Sequence, residues 1–251
     1  MKALVAQDLS GPSGLGYTEV DDVGGEDMVV VDVGAAGVSF PDLLLLRGEY
    51  QLRLEPPFIP GMEVAGVVRE TVLVLGSAGG VGTAAVQIAK VLGAKVIAVV
   101  HRPHAAEFVK SLGADVVLPL DDGWLEAVKE HTGGQGVDLV VDPIGGKAFD
   151  HAIRALATEG RLLVIGFAAG GIPTVKVNRL LLRNVSVIGV GYGEFVNRKP
   201  GSQSVFEFGV NELVKAGLRP QPPVRFPLSK GAEALQSLAD GGVLGKVVLE
   251  P

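Results

Sequence analysis

The chain has 251 residues, 47% hydrophobic and 20% charged, enough to bury a substantial core and to form two moderate domains. Its net charge of -6, with Lys and Arg dispersed, excludes the broad basic surface of sequence-independent nucleic-acid binding, so no nucleic-acid partner is expected. Cysteine is absent, which excludes a disulfide framework, thiolate zinc coordination and a cysteine nucleophile.

Residues 1–10 hold no basic region followed by an apolar stretch, and no run approaches the ~20 apolar residues of a membrane-spanning helix. A soluble cytoplasmic protein with no membrane partner is the expectation. The first 70 residues carry strand-like pieces at 28–33 and 64–69 between Gly and Pro clusters, which predicts a mainly β domain. Residues 64–75 then read as one apolar run with no turn signal, and a strand of that length would span roughly 40 Å against the usual ~17–20 Å. Two strands are therefore expected there, with connecting chain missing between Glu70 and Thr71.

From Thr71 the pattern changes to short β-branched runs alternating with helical segments, the signature of a parallel sheet covered on both faces. The runs are 71–75, 95–100, 115–118, 137–142, 161–165 and 185–190, with helices expected at 81–92, 105–112, 123–131 and 147–157. This predicts an α/β, doubly wound Rossmann domain over 71–197. Beyond it, a helix at 202–216, a strand at 224–228, a helix at 231–240 and a strand at 246–249 are placed to return to the first domain.

Directly after the first of these strands stands Gly76-Ser77-Ala78-Gly79-Gly80-Val81-Gly82, followed by an apolar helix. In that setting Gly79 lets the backbone approach a pyrophosphate, Gly82 permits close packing of helix on strand, and the helix N-terminus offers free N–H groups. Ser77 takes the place of the usual first glycine. The alternative is a tight turn that binds nothing. The second strand ends in His101-Arg102-Pro103-His104, with no carboxylate to hold the ribose hydroxyls of NADH. Arg102, assisted by His101 or His104, is placed to clasp a 2′-phosphate, which favours NADPH. The alternative is a solvated Arg with two surface histidines.

Together with the glycine loop, Asp142-Pro143-Ile144-Gly145-Gly146, the run 160–167 and the ending Gly245-Lys246-Val247-Val248-Leu249 look like the medium-chain dehydrogenase/reductase superfamily, in its zinc-free quinone oxidoreductase branch. The N-terminal half agrees in Gly37-Val38-Ser39-Phe40-Pro41-Asp42, Arg47-Gly48-Glu49-Tyr50 and the run 60–66. The resemblance implies a GroES-like, mainly β substrate domain made of 1–70 and 198–251, here truncated, around a Rossmann domain at 71–197. It places Pro143 and Ile144 near the adenosine, Gly166, Phe167, Val190 and Tyr192 near the nicotinamide, and Lys246 at the pyrophosphate; the alternative for Phe167 and Tyr192 is that they are core aromatics at strand ends. Zinc-dependent relatives carry Cys and His where this chain has Ser39 and Met62, so no metal is expected. Tyr50 matches the position of a tyrosine that polarises a carbonyl or delivers a proton in related enoyl reductases, and Ser39 and Asp42 match pocket-lining positions. Packing beside Pro56 and Pro57 is the alternative for Tyr50, and a turn or helix cap for Asp42.

The expected activity is zinc-independent hydride transfer from NADPH to a small quinone or enone, with a homodimer as the expected assembly. The alternative is an NADPH-binding protein of the same fold with little catalysis, acting through interactions.

Overall fold

The computed structural model describes residues 1–21, 31–37, 40–51, 53–60, 63–68 and 70–251. Two compact units result, Met1–Arg69 and Glu70–Pro251. In the first, β1 (Lys2–Ala6) pairs antiparallel with β2 (Leu15–Glu19), and β3 (Val31–Gly37) with β4 (Glu63–Val68). The short helix α1 (Phe40–Leu46) lies between β3 and β4 in sequence. The expected β character of this region is present. Ser39 and Met62 lie outside the described residues, as does the start of the expected strand at 28–33.

The long apolar run at 64–75 is divided between β4 and β5 (Thr71–Leu75), which belong to different sheets. Each strand has a normal length, as the geometric argument requires.

The second unit is built on a six-stranded parallel sheet of β5, β6 (Lys95–Val100), β7 (Val116–Pro119), β8 (Val137–Asp142), β9 (Leu156–Val164) and β10 (Ser186–Gly189). Its spatial order is β10-β9-β8-β5-β6-β7. Numbered from β5, this is the order of dinucleotide-binding folds, in which the chain reverses direction across the sheet between the first and fourth strands. Three of the six expected strands, at 71–75, 95–100 and 137–142, have the expected bounds.

Alternation along the strands feeds two cores. Val72, Val74, Val96, Ala98 and Val100 pack on one face with Val86 and Ala89 of α2 (Gly80–Val91) and Val109 of α3 (Ala106–Ser111). Leu73, Leu75, Ile97 and Val99 face the other way, onto Trp124, Leu125 and Val128 of α4 (Trp124–His131) and Phe149, Ala152 and Ile153 of α5 (Ala148–Ala155). A strand with both faces buried has no polar side to show, which is why these strands read as continuous apolar runs.

Helix α2 stops where Gly93 turns left-handed at φ 85°, while the Gly93 and Ala94 amides donate to the carbonyls of Lys90 and Ala89. Glycine is needed there because any Cβ disfavours that backbone region. After α5 the chain follows β9, α6 (Asn178–Arg183), β10, α7 (Tyr192–Arg198) and α8 (Ser202–Lys215). Residues 224–250 then supply β11 (Val224–Pro227), α9 (Gly231–Ala239) and β12 (Val247–Glu250), with β11 and β12 forming a separate parallel pair.

Candidate cofactor site

The candidate site lies at the carboxyl ends of β5 and β8, where the sheet order reverses, the place at which open α/β sheets bind ligands. Gly76 leaves β5 at φ 57° and points its bare Cα at the next loop: a Cβ there would lie 2.6 Å from Ile144 Cγ2. The Gly79 amide donates to the Gly76 carbonyl at 3.1 Å, closing the turn, and the Thr83 amide donates to the Gly79 carbonyl at 2.9 Å to start the helix. A Cβ on Gly82 would stand 2.3 Å from the Gly76 carbonyl oxygen and 2.5 Å from the Ser77 Cα, so only glycine allows this close approach.

Gly79 is the N-cap of α2, in an extended conformation, and no side chain caps the helix. The first amides of a helix lack intrahelical acceptors, and amides left uncapped in this way can hold an anion. Ala78, Gly80 and Val81 complete the turn, with Val81 exposed. Ser77 has a different job from its neighbours. It is fully buried, and its hydroxyl donates to the Val99 carbonyl on β6 at 3.0 Å. Its side chain anchors the loop from beneath.

Arg102 lies at the end of β6, with His101 and His104 exposed on either side of it in sequence. Its guanidinium donates from Nη2 to the Val243 carbonyl at 2.9 Å, while Nη1 is buried without a hydrogen-bond partner among the described residues. The loop it reaches also meets the glycine turn directly. The Gly245 amide donates to the Ala78 carbonyl at 2.9 Å, and a Cβ on Gly80 would meet the Lys246 side chain at 3.6 Å. Lys246 therefore lies against the glycine turn.

On the β8 side, Pro143 and Ile144 follow a buried carboxylate, Asp142. Its Oδ1 accepts hydrogen bonds from the Ile144 and Gly145 amides at 2.9 and 2.8 Å, and Oδ2 has no hydrogen-bond partner among the described residues. Burial pushes the Asp142 carboxyl above the ordinary carboxylate range, although both backbone donors pull the other way. Sequence reasoning gives Asp142 a place in a motif but no role. The available signal is an Asp at the end of an apolar strand followed by Pro, a turn-forming combination.

The adjoining loop after β9 is laced to this one: the Ala168 and Ala169 amides donate to the carbonyls of Pro143 and Ile144 at 3.2 and 2.9 Å. Gly166 lies so close that a Cβ there would be 3.2 Å from the Pro143 oxygen. Phe167 is 42% exposed, Val190 41% and Tyr192 59%, all at the carboxyl ends of β9 and β10. They are open to a ligand, and Tyr192 leans on Phe206 of α8 with ring centroids 5.3 Å apart. In the first unit, Tyr50 is half-buried just beyond α1, and Asp42 is buried in the first turn of that helix. Ser39 lies outside the described residues. Among the described residues no group of three or more His, Asp or Glu could hold a metal ion, and no helix is long and apolar enough to cross a membrane.

The sequence pattern of the zinc-binding dehydrogenase family matches residues 80–207, and that of the alcohol dehydrogenase GroES-like domain matches residues 25–79. A probable oxidoreductase from Mycobacterium abscessus is 48% identical; the match covers 100% of this chain and 99% of that one, with a TM-score of 0.65. The chain belongs to the quinone oxidoreductase branch of the medium-chain dehydrogenase/reductase superfamily.

Within that branch, the quinone oxidoreductase of Thermus thermophilus, whose structure is known alone and with NADPH, is 30% identical over 99% of this chain and 100% of its own, with a TM-score of 0.58. Quinone oxidoreductase-like protein 2 of Mus musculus is 28% identical, the match covering 90% of this chain and 85% of the relative. That alignment runs over 298 residues and so exceeds the 251 of this chain, which means that the relative carries sequence absent here. The family's doubly wound sheet and its GroES-like first region are the fold that the sequence patterns predict.

Proposed function

We propose that this oxidoreductase uses NADPH to pass a hydride to a quinone or to an α,β-unsaturated carbonyl, without zinc. The observation that carries the reading is an uncapped helix N-terminus behind a glycine turn, at the switch point of the sheet, with exposed apolar and aromatic side chains at the neighbouring strand ends. Its fit to a dinucleotide is physical. Bare Cα atoms at 76, 79, 80 and 82 keep the turn low, and the α2 amides and dipole favour a pyrophosphate. That the related enzyme from Thermus thermophilus has been solved in complex with NADPH supports the same assignment.

In this reading residues 71–197 form the NADPH domain, and 1–70 with 198–251 the substrate domain. NADPH, when bound, supplies the hydride. Lys246 neutralises phosphate charge, and Arg102, with His101 or His104 beside it, takes the 2′-phosphate through charge-assisted hydrogen bonds. Pro143 and Ile144 wall the adenosine, while Gly166, Phe167, Val190 and Tyr192 flank the nicotinamide and exclude water from it. Ser39 and Asp42 line the acceptor's pocket. The Tyr50 hydroxyl donates a hydrogen bond to the acceptor oxygen and stabilises the charge that grows there. A quinone or enone activated in this way needs no Lewis acid, in keeping with a chain that has no cysteine and carries Ser39 and Met62 where zinc relatives have ligands. A cytoplasmic homodimer is the assembly proposed.

The test is a steady-state assay of NADPH consumption with a benzoquinone and with an acyclic enone. Saturable turnover with either is expected. Protein that binds NADPH yet consumes none with any such acceptor would favour the second reading, a cofactor-binding protein with little catalysis. What favours that second reading is the relative's extra sequence taken with the connecting chain expected to be missing between Glu70 and Thr71: a first domain shortened there loses pocket wall before it loses the glycine turn.

A further inference from the structure

We propose that a basic cleft formed by α4, α5 and α6 is a second ligand site, and that it takes a small amphipathic carboxylate. Lys129, Ile153, Arg154, Arg179, Leu182 and Arg183 line an opening of about 320 Å³, within the ~300–1,000 Å³ of small-molecule pockets. None of these residues belongs to the candidate cofactor site. Lys129 and Arg154 stand in the last turns of α4 and α5. Helices between parallel strands run against them, so these last turns lie at the opposite end of the sheet from the glycine loop.

The charge is not balanced internally. Four cations line the cleft, and among the described residues one carboxylate forms an ion pair with any of them: Asp150, which pairs with Arg179. Among the described residues neither Lys129 nor Arg154 has a carboxylate partner, and Arg183 donates to the Arg154 carbonyl at 3.3 Å. Each basic residue near a helix C-terminus is favoured by its own helix dipole, which explains them singly. Their convergence on one opening is a separate matter. Like charges within a Debye length of about 8 Å repel, and an anion seated among them relieves that repulsion.

Ile153 at the base is buried, Leu182 is 77% exposed at the rim, and the Lys and Arg stems add more apolar wall. A fully hydrated inorganic anion uses only the charges; a carboxylate on a short alkyl chain uses both features.

The experiment titrates the full chain with sodium octanoate, 1-octanol and inorganic phosphate by calorimetry, and repeats the octanoate titration on the double variant Lys129→Gln, Arg154→Gln. One saturable octanoate site is expected, with octanol and phosphate at least tenfold weaker. The double variant should weaken octanoate at least tenfold while NADPH affinity stays within twofold, which separates this site from the cofactor site and from the substrate pocket. A ligand-free melting curve establishes that the variant is folded, and Arg154→Gln alone serves if it is not. Absence of saturable octanoate binding overturns the proposal. So does octanol or phosphate binding as tightly, or a folded variant that binds octanoate unchanged.

Discussion

The Ser77 hydroxyl donates to the Val99 carbonyl at 3.0 Å, and the Ser77 amide reaches the same oxygen at 3.3 Å, so one carbonyl of β6 holds the base of the glycine turn. The hydroxyl is buried, and removing it leaves part of that acceptor's capacity unused. Ser77→Ala is expected to cost about 1 kcal/mol, read as a fall in Tm of roughly 2–4 °C for a chain of this size. NADPH affinity should fall only slightly, because the bond orients the loop from below. An unchanged Tm would show that the anchor contributes nothing.

Gly82→Ala tests the close approach between helix and strand. A methyl group would have to lie 2.3 Å from a backbone oxygen, and backbone cannot swing aside as a flexible side chain can. Overpacking of this kind typically costs about 1–3 kcal/mol, and here the relief must come from moving α2 away from the turn. The expected outcome is a lower Tm with NADPH affinity reduced at least tenfold. Normal affinity in the variant would mean that the α2 amides are not the phosphate contact.

Asp142 predicts a pH dependence. Its carboxyl binds a proton more tightly in the folded chain than in the unfolded one, because burial penalises its charged form. The folded state therefore holds more protons between the ordinary carboxylate value of about 3.9 and the raised folded value, and stability falls with rising pH through that window. In Asp142→Asn, which keeps an acceptor for the Ile144 and Gly145 amides, this downward component should vanish. Urea denaturation from about pH 4 to pH 7 reads the difference in slope. Identical slopes for the two proteins would contradict the assignment.

Tyr50→Phe removes the proposed donor and little else. A fall in kcat of about 10²–10⁴ with an enone is expected, the usual range for losing a positioned acid, with a smaller fall for a quinone, whose product oxygens take protons from water. Unchanged turnover with both acceptors would remove the role from Tyr50.

The residues differ in how much of this is readable from sequence. The strands at 71–75, 95–100 and 137–142 stand out because burial on both faces favours β-branched and apolar residues along most of their length. The glycine turn is equally legible, since its spacing is a steric requirement written in residue type. By contrast, the sequence pattern does not mark α6 and α7. Leu181 and Leu182 of α6 are exposed, and the apolar face that normally marks a helix is blurred. The long-range contacts of Arg102 with Val243 and of Ala78 with Gly245 are also invisible in sequence, because each joins a side chain or amide to a backbone carbonyl, and every residue has one. Ser77 is legible as a member of the loop, yet not as its buried anchor; a hydroxyl in a turn faces inward or outward according to the neighbouring strand.

The most direct test of the central claim is a fluorescence titration of the wild-type chain and of Arg102→Ala with NADPH and NADH. Wild type should bind NADPH at least tenfold more tightly than NADH, a difference of about 1.4 kcal/mol. In the variant that preference should collapse, mainly through weaker NADPH binding, because the 2′-phosphate has lost its charged partner. Equal affinities in the wild type, or the same ratio in both proteins, would contradict an NADPH site built around Arg102.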